Sequence, residues 1–278
     1  MSSTRPWADL ERSGSIATIT LGAPKGPSRI NVESAREWLD VLREADADPE
    51  IRVILHRAEG PVWSAGGDLA AFRELGDDAH DFVLEIGEWI NPVVTLLHES
   101  PKLTVASVHG AVAGGGLGAM LACDVVIAAD DTAFTLGYAK LATNPDAGVS
   151  WFLPRLVGYR KALELFLTSQ LLSAREALDL GLINFVVPSA ELAETTETMI
   201  REFSRLAPNA VESTKRLLQA SPDAALAEHT DAEIRSFAGN TRSPAFAEGV
   251  AAFLDRRTAE SELDWGVLSA PDVPTHGH

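Results

Sequence analysis

The stretch Val108-His109-Gly110-Ala111-Val112-Ala113-Gly114-Gly115-Gly116-Leu117-Gly118-Ala119 constrains this chain more than any other. It joins an apolar run, Leu103–Val108, that reads as a buried strand to a second apolar run, residues 117–122, that reads as a helix. Glycine lets a backbone come close to a ligand where a side chain would block it. At a helix N-terminus the unpaired N–H groups point outward and the helix dipole favours negative charge. The sequence therefore builds a place where backbone holds an anion. That anion is either a phosphate or an oxyanion that exists only during a reaction.

Bulk properties narrow the class. A chain of 278 residues with 46% hydrophobic content can bury a large core, and its mean hydropathy of +0.03 fits a globular protein. The net charge of -17, from 23 basic against 40 acidic residues, opposes nucleic acid and acidic membrane surfaces as partners. The only cysteine, Cys123, excludes an intrachain disulfide and fits a reducing, cytoplasmic setting. Residues 1–10 lack the apolar core of a signal peptide. The weakly polar stretch 107–129 carries glycines, His109 and Asp124, which suits a buried strand–turn–helix–strand better than a membrane span.

Along the chain, Ile16–Leu21 alternates as a strand, residues 32–45 have helical spacing behind Asn31 as a cap, and residues 52–56 form a short apolar strand. Residues 80–98 read as a long amphipathic helix, and residues 124–128, 133–136 and 184–187 as strands. Beyond residue 150 nearly everything else is helical. The expected class is α/β, with a core over residues 1–205, a helical region over 206–268, and a disordered tail at 269–278 rich in Pro, Gly and His.

Two readings of the glycine run compete. Gly114-Gly115-Gly116-Leu117-Gly118-Ala119 satisfies the dinucleotide pattern G-x-G-x-x-A, with Asp130 near the end of the next strand. That motif is weak alone, and no second mononucleotide-binding half follows. The other reading joins a second corner, Trp63-Ser64-Ala65-Gly66-Gly67-Asp68-Leu69, which also follows a strand and precedes a helix. Two such corners facing one cleft supply two converging N–H groups, an oxyanion hole.

The two corners, in this order, resemble the enoyl-CoA hydratase/isomerase (crotonase) family. The likeness extends through Ala122-Cys123-Asp124, Asn144-Pro145-Asp146-Ala147-Gly148, Leu153-Pro154-Arg155-Leu156-Val157-Gly158, Ser173-Ala174-Arg175-Glu176-Ala177 with Gly181-Leu182-Ile183, and Glu248-Gly249-Val250-Ala251-Ala252-Phe253-Leu254. The resemblance implies a crotonase-like spiral of ββα units with a C-terminal helical oligomerisation region, and homotrimers or hexamers. It implies an acyl-CoA thioester whose oxygen meets the N–H groups of Gly67 and Gly115. Coenzyme A enters as part of the substrate, and no separate cofactor or metal is expected. Ala65, Gly66, Asp68, Leu69 and Gly114 would line the substrate path, with Arg29 meeting a CoA phosphate and Tyr138 contacting the substrate.

The departures from the family pattern redirect the chemistry. Hydratases of the family carry two water-handling glutamates; their places here are Gly118 and Tyr138. General acid–base groups contribute roughly 10² to 10⁴ in rate, so hydration is expected to be slow. One carboxylate remains, Asp146, where isomerase-type members place their single acid. Trp151, Phe152 and Leu136 are expected to shield it from water. The resemblance thus points to an isomerase of the Δ3,Δ2-enoyl-CoA or ring-epoxide phenylacetyl-CoA type. An acyl-CoA hydrolase, a ring-cleaving member and a non-catalytic acyl-CoA binder remain alternatives. Asp68 reads as a helix cap, and His109, Trp63 and Cys123 as structural.

Overall fold

A computed structural model describes residues 6–22 and 26–256. The described chain forms two compact units that divide after Ile200. The first opens with strands β1 (Ala8–Ser13) and β2 (Ile16–Leu21), helix α1 (Val32–Ala47), β3 (Val53–Ala58) and helices α2 (Leu69–Leu75) and α3 (Ala79–Glu99). Strands β4 (Leu103–Val108) and β5 (Ala111–Ala113), helix α4 (Gly115–Ala122) and strands β6 (Val125–Ala129) and β7 (Ala133–Thr135) follow. After them come α5 (Val149–Val157), α6 (Tyr159–Thr168), β8 (Leu172–Ser173), α7 (Ala174–Asp179), β9 (Phe185–Val187) and α8 (Leu192–Phe203). The second unit is built on α9 (Pro208–Ala220), α10 (Leu226–Asn240) and α11 (Pro244–Asp255).

The main sheet has six strands in the order β1-β2-β3-β4-β6-β9. All neighbours run parallel except the β1–β2 hairpin. Parallel strands covered on both faces read as continuous apolar runs, and in β3 the first four residues, Val53 to His56, are all buried. Helix α1 presents Ala35, Trp38, Leu39, Leu42 and Ala45 at helical spacing, and α3 presents Ile86, Ile90, Val93, Val94 and Leu97. These faces pack on each other and join the strands in one core. Each fully buried Leu or Ile contributes about 1.5–3 kcal/mol. Asn31 caps α1 in a reciprocal box with Ser34, as the sequence predicts.

Three features depart from the sequence reading. Strand β1 occupies residues read only as polar; it is an edge strand whose outer half is exposed, so no apolar alternation marks it. In a second sheet, β5-β7-β8, the strand expected at 133–136 is present as β7, but its partners β5 and β8, of three and two residues, are too short to show a period. Helix α4 begins at Gly115, two residues before the apolar run. The tail at 269–278 and the end of the predicted helical region, 257–268, lie outside the described residues. Among the described residues no helix is long and apolar enough to cross a membrane.

Candidate active site

The first glycine corner leaves the C-terminal end of β3 and is tied down on two sides. The Trp63 and Ser64 N–H groups donate to the His109 and Ala111 carbonyls, and Ala113 N–H donates back to Ser64, each at 3.0 Å. On the other side Ala65 N–H donates to Ser28 at 2.7 Å and Ile30 N–H to Gly66 at 2.9 Å. Gly66 has φ +78, and a Cβ there would lie 3.0 Å from the Ala113 carbonyl oxygen, so only glycine fits without strain. Beneath the corner the wholly buried Trp63 packs edge-on against Trp38, whose Nε1 donates to His56 Nδ1 at 3.2 Å. Asp68 caps α2, accepting from the Ala70 and Ala71 N–H groups.

The direction of the two key N–H groups follows from peptide planarity. In a trans peptide the N–H points opposite to the carbonyl it shares a plane with, and the described chain contains no cis bond. The Gly66 carbonyl accepts from Ile30, so the Gly67 N–H points away from that strand. The Gly114 carbonyl accepts from Leu117 at 2.9 Å and Gly118 at 3.4 Å inside α4, so the Gly115 N–H points out of the helix N-terminus. Gly67 and Gly115 both line one cavity of 550 Å³.

The same cavity takes in Asp146 and Ala147, with apolar walls from Ile30, Phe72, Ile86 and Ile90. Asp146 is an exposed residue whose Oδ1 lies 3.5 Å from the place a Gly115 Cβ would occupy. Its loop is pressed into α4. A Cβ on Gly118 would lie 2.0 Å from the Ala147 carbonyl oxygen, which no side chain survives. Ala147 itself is buried and left-handed at φ +46. The space beside Gly118 is therefore filled by the backbone that brings Asp146 to the cavity.

The remaining residues expected at the site fall into three groups. Asp68 and Arg29 form an ion pair at 3.8 Å, with the Arg29 side chain half exposed. Ala65 and Leu69 are exposed on the first corner, while Gly114 caps α4 and donates its N–H to the Thr135 carbonyl. Tyr138 is buried and does not line the cavity; its hydroxyl donates to Asp146 Oδ1 at 2.6 Å. Burial, then the Asp146 charge and the hydrogen bond itself, push the Tyr138 phenol well above its usual range. It stays a neutral donor at any working pH.

The expected shield of Asp146 is not where the sequence placed it. Trp151 and Phe152 pack against His98 on the flank of α5, and neither they nor Leu136 lines the cavity. The walls come instead from α3, where residues 83, 84, 86, 87, 88, 90 and 91 line the cavity, the Glu88 carboxylate among them. Their helical spacing was visible in the sequence, but nothing there showed which way that face turns. The structural assignments hold: His109 Nε2 bonds the Gly60 carbonyl, and Cys123 packs at the core's edge.

With this geometry in place, comparison with known proteins is specific. A family model described as enoyl-CoA hydratase/isomerase matches residues 11–262. A 1,2-epoxyphenylacetyl-CoA isomerase of Escherichia coli is 31% identical over 248 residues, spanning 88% of this chain and 94% of its own length. A trans-2-decenoyl-[acyl-carrier-protein] isomerase of Streptococcus mutans is 30% identical over 243 residues, spanning 87% and 92%. A 4-chlorobenzoyl coenzyme A dehalogenase of an Arthrobacter species is 28% identical, spanning 91% and 92%. The crystal structure of an enoyl-CoA hydratase from Polaromonas superposes with a TM-score of 0.85 at 30% identity, covering 91% of this chain and 98% of that one.

Proposed function

The chain belongs to the enoyl-CoA hydratase/isomerase family, and from that premise we propose that it moves a double bond in an enoyl-CoA thioester with Asp146 as its single proton carrier. The observation that carries this reading is the filling of the Gly118 position by the Ala147 carbonyl. A carboxylate for activating water has no room there, while Asp146 shares a cavity with two backbone donors.

The thioester carbonyl acidifies the neighbouring C–H. Asp146 takes that proton; the electron pair moves into the carbon framework and its charge settles on the thioester oxygen. The Gly67 and Gly115 N–H groups stabilise that charge, each worth on the order of 3 kcal/mol, and the positive end of α4 adds to them. Asp146 then returns the proton to a different carbon of the same dienolate. One carboxylate suffices, and no cofactor beyond the substrate's own coenzyme A takes part. Arg29, half exposed and paired with Asp68, meets a CoA phosphate in this reading. The exposed Phe237, Phe253 and Leu254 of α10 and α11 support assembly into trimers or hexamers.

The test offers 3-enoyl- and 2-enoyl-CoA substrates and follows migration and hydration separately. Double-bond migration should dominate, and Asp146→Asn should slow it by roughly 10² to 10⁴ without lowering the melting temperature. Fast hydration by the wild type overturns the argument from Gly118. Undiminished migration in the variant removes Asp146. Release of free CoA moves the assignment to a hydrolase, and tight CoA binding with no turnover to a binding protein.

A further inference from the structure

Tyr138 stands where the resemblance puts a second hydratase acid, yet it does not line the cavity. It opens a single 3₁₀ turn, Tyr138–Leu141, held between Gly137 and Ala142, both in the left-handed region. Its carbonyl accepts from Thr143 N–H at 3.2 Å, so the ring's anchor point is fixed by the turn. Its hydroxyl reaches Asp146 Oδ1 at 2.6 Å, the short distance of an O–H donor on a carboxylate. The hydroxyl also lies 3.9 Å from the place a Gly114 Cβ would occupy, beside the second glycine corner.

A carboxylate on an exposed loop can rotate about its last bond and offer either oxygen. One held at Oδ1 cannot. We propose that Tyr138 is a positioning residue for Asp146, its hydroxyl holding Oδ1 so that Oδ2 alone takes and returns the proton. This rests on the reading of Asp146 as the proton carrier. In the step itself the substrate C–H bond breaks and an Oδ2–H bond forms, with the electron pair left on the dienolate. The Oδ2–H bond then breaks as the new C–H bond forms. Tyr138 keeps its own proton throughout. It could not act as the base, because burial and the adjacent charge hold the phenol protonated. What it contributes is a fixed direction for the oxygen that works.

Two measurements test this. Tyr138→Phe keeps the ring and removes the donor, and should lower kcat by about 10- to 100-fold, the worth of a hydrogen bond to a charged group, with KM within about twofold. A rise in KM at constant kcat would instead make Tyr138 a substrate contact and overturn the proposal. The second measurement needs no substrate. The chain has two tyrosines, and the other, Tyr159, is 72% exposed. In a Tyr159→Phe background the ring vibrations in an ultraviolet resonance Raman spectrum at pH 7 report Tyr138 alone. They should show a strong hydroxyl donor, and adding Asp146→Asn should weaken that donation by removing the charged acceptor. Unchanged vibrations show that the hydroxyl does not donate to Asp146 and sink the proposal. Changed vibrations in a protein that does not isomerise enoyl-CoA would retain the pairing and reject the reaction assigned to it.

Discussion

The corner at residues 64–68 and the corner at 114–118 each aim a glycine N–H at the same cavity, but they are supported in different ways. The first leads into α2, none of whose seven residues is buried. Its rigidity comes from behind, through backbone bonds to residues 28–30 and 109–113 and the Trp63–Trp38–His56 stack. The second leads into α4, all eight of whose residues are buried. There the helix itself is part of the core. Equivalent donors can thus be built on a wall or on a pillar, and the two should fail differently.

The largest effect is expected at the second corner. Gly118→Ala puts a Cβ against the Ala147 carbonyl and should cost about 3 kcal/mol or more, the upper end of overpacking. Thermal melts would read the loss, and turnover should fall with it because the Asp146 loop must move. A fold and activity left intact would show that the second corner is as tolerant as the first.

Acid should weaken the first corner. Burial holds His56 at about 3, against a usual value of 6.5. The unfolded chain therefore binds a proton in that window that the folded chain does not. Stability rises with pH across it, is complete above about 6.5 and drains away below, by about 1.4 kcal/mol per pH unit from this group. Urea midpoints at pH 7, 6 and 5 for the wild type and His56→Gln should converge as pH falls. Parallel curves would remove His56 from the acid response.

The smallest effect is expected from Asp68→Ala. Loss of the cap costs α2 about 1 kcal/mol. Because α2 touches the core only through the partly buried Phe72, global melting should barely change while hydrogen exchange at residues 69–75 accelerates. A drop in melting temperature as large as that of Gly118→Ala would erase the distinction between the corners.

Much of this site could be read from the chain. Both corners and the caps at Asn31 and Asp68 were visible because each depends on residue type and local order; Asp146 was singled out only by the family resemblance. Contacts between distant segments were hidden. The family resemblance makes Gly118 the expected place of a hydratase glutamate, but the Ala147 carbonyl that lies against it comes from another loop. Tyr138 is expected at the substrate from the sequence, whereas the structure puts its hydroxyl on Asp146. The shield expected from Trp151 and Phe152 failed because α5 turns those rings toward His98, while α3 supplies the walls.

The planarity of two peptides has one more consequence. The N–H groups of Gly67 and Gly115 are directed by carbonyls already committed to Ile30 and to α4. Short of proline, which lacks the N–H, side-chain substitution cannot delete such donors; it can only crowd them. The carboxylate that faces them sits on an exposed loop and is open to exchange. A substitution on that loop can therefore change the proton chemistry proposed for this site while the backbone donors stay in place.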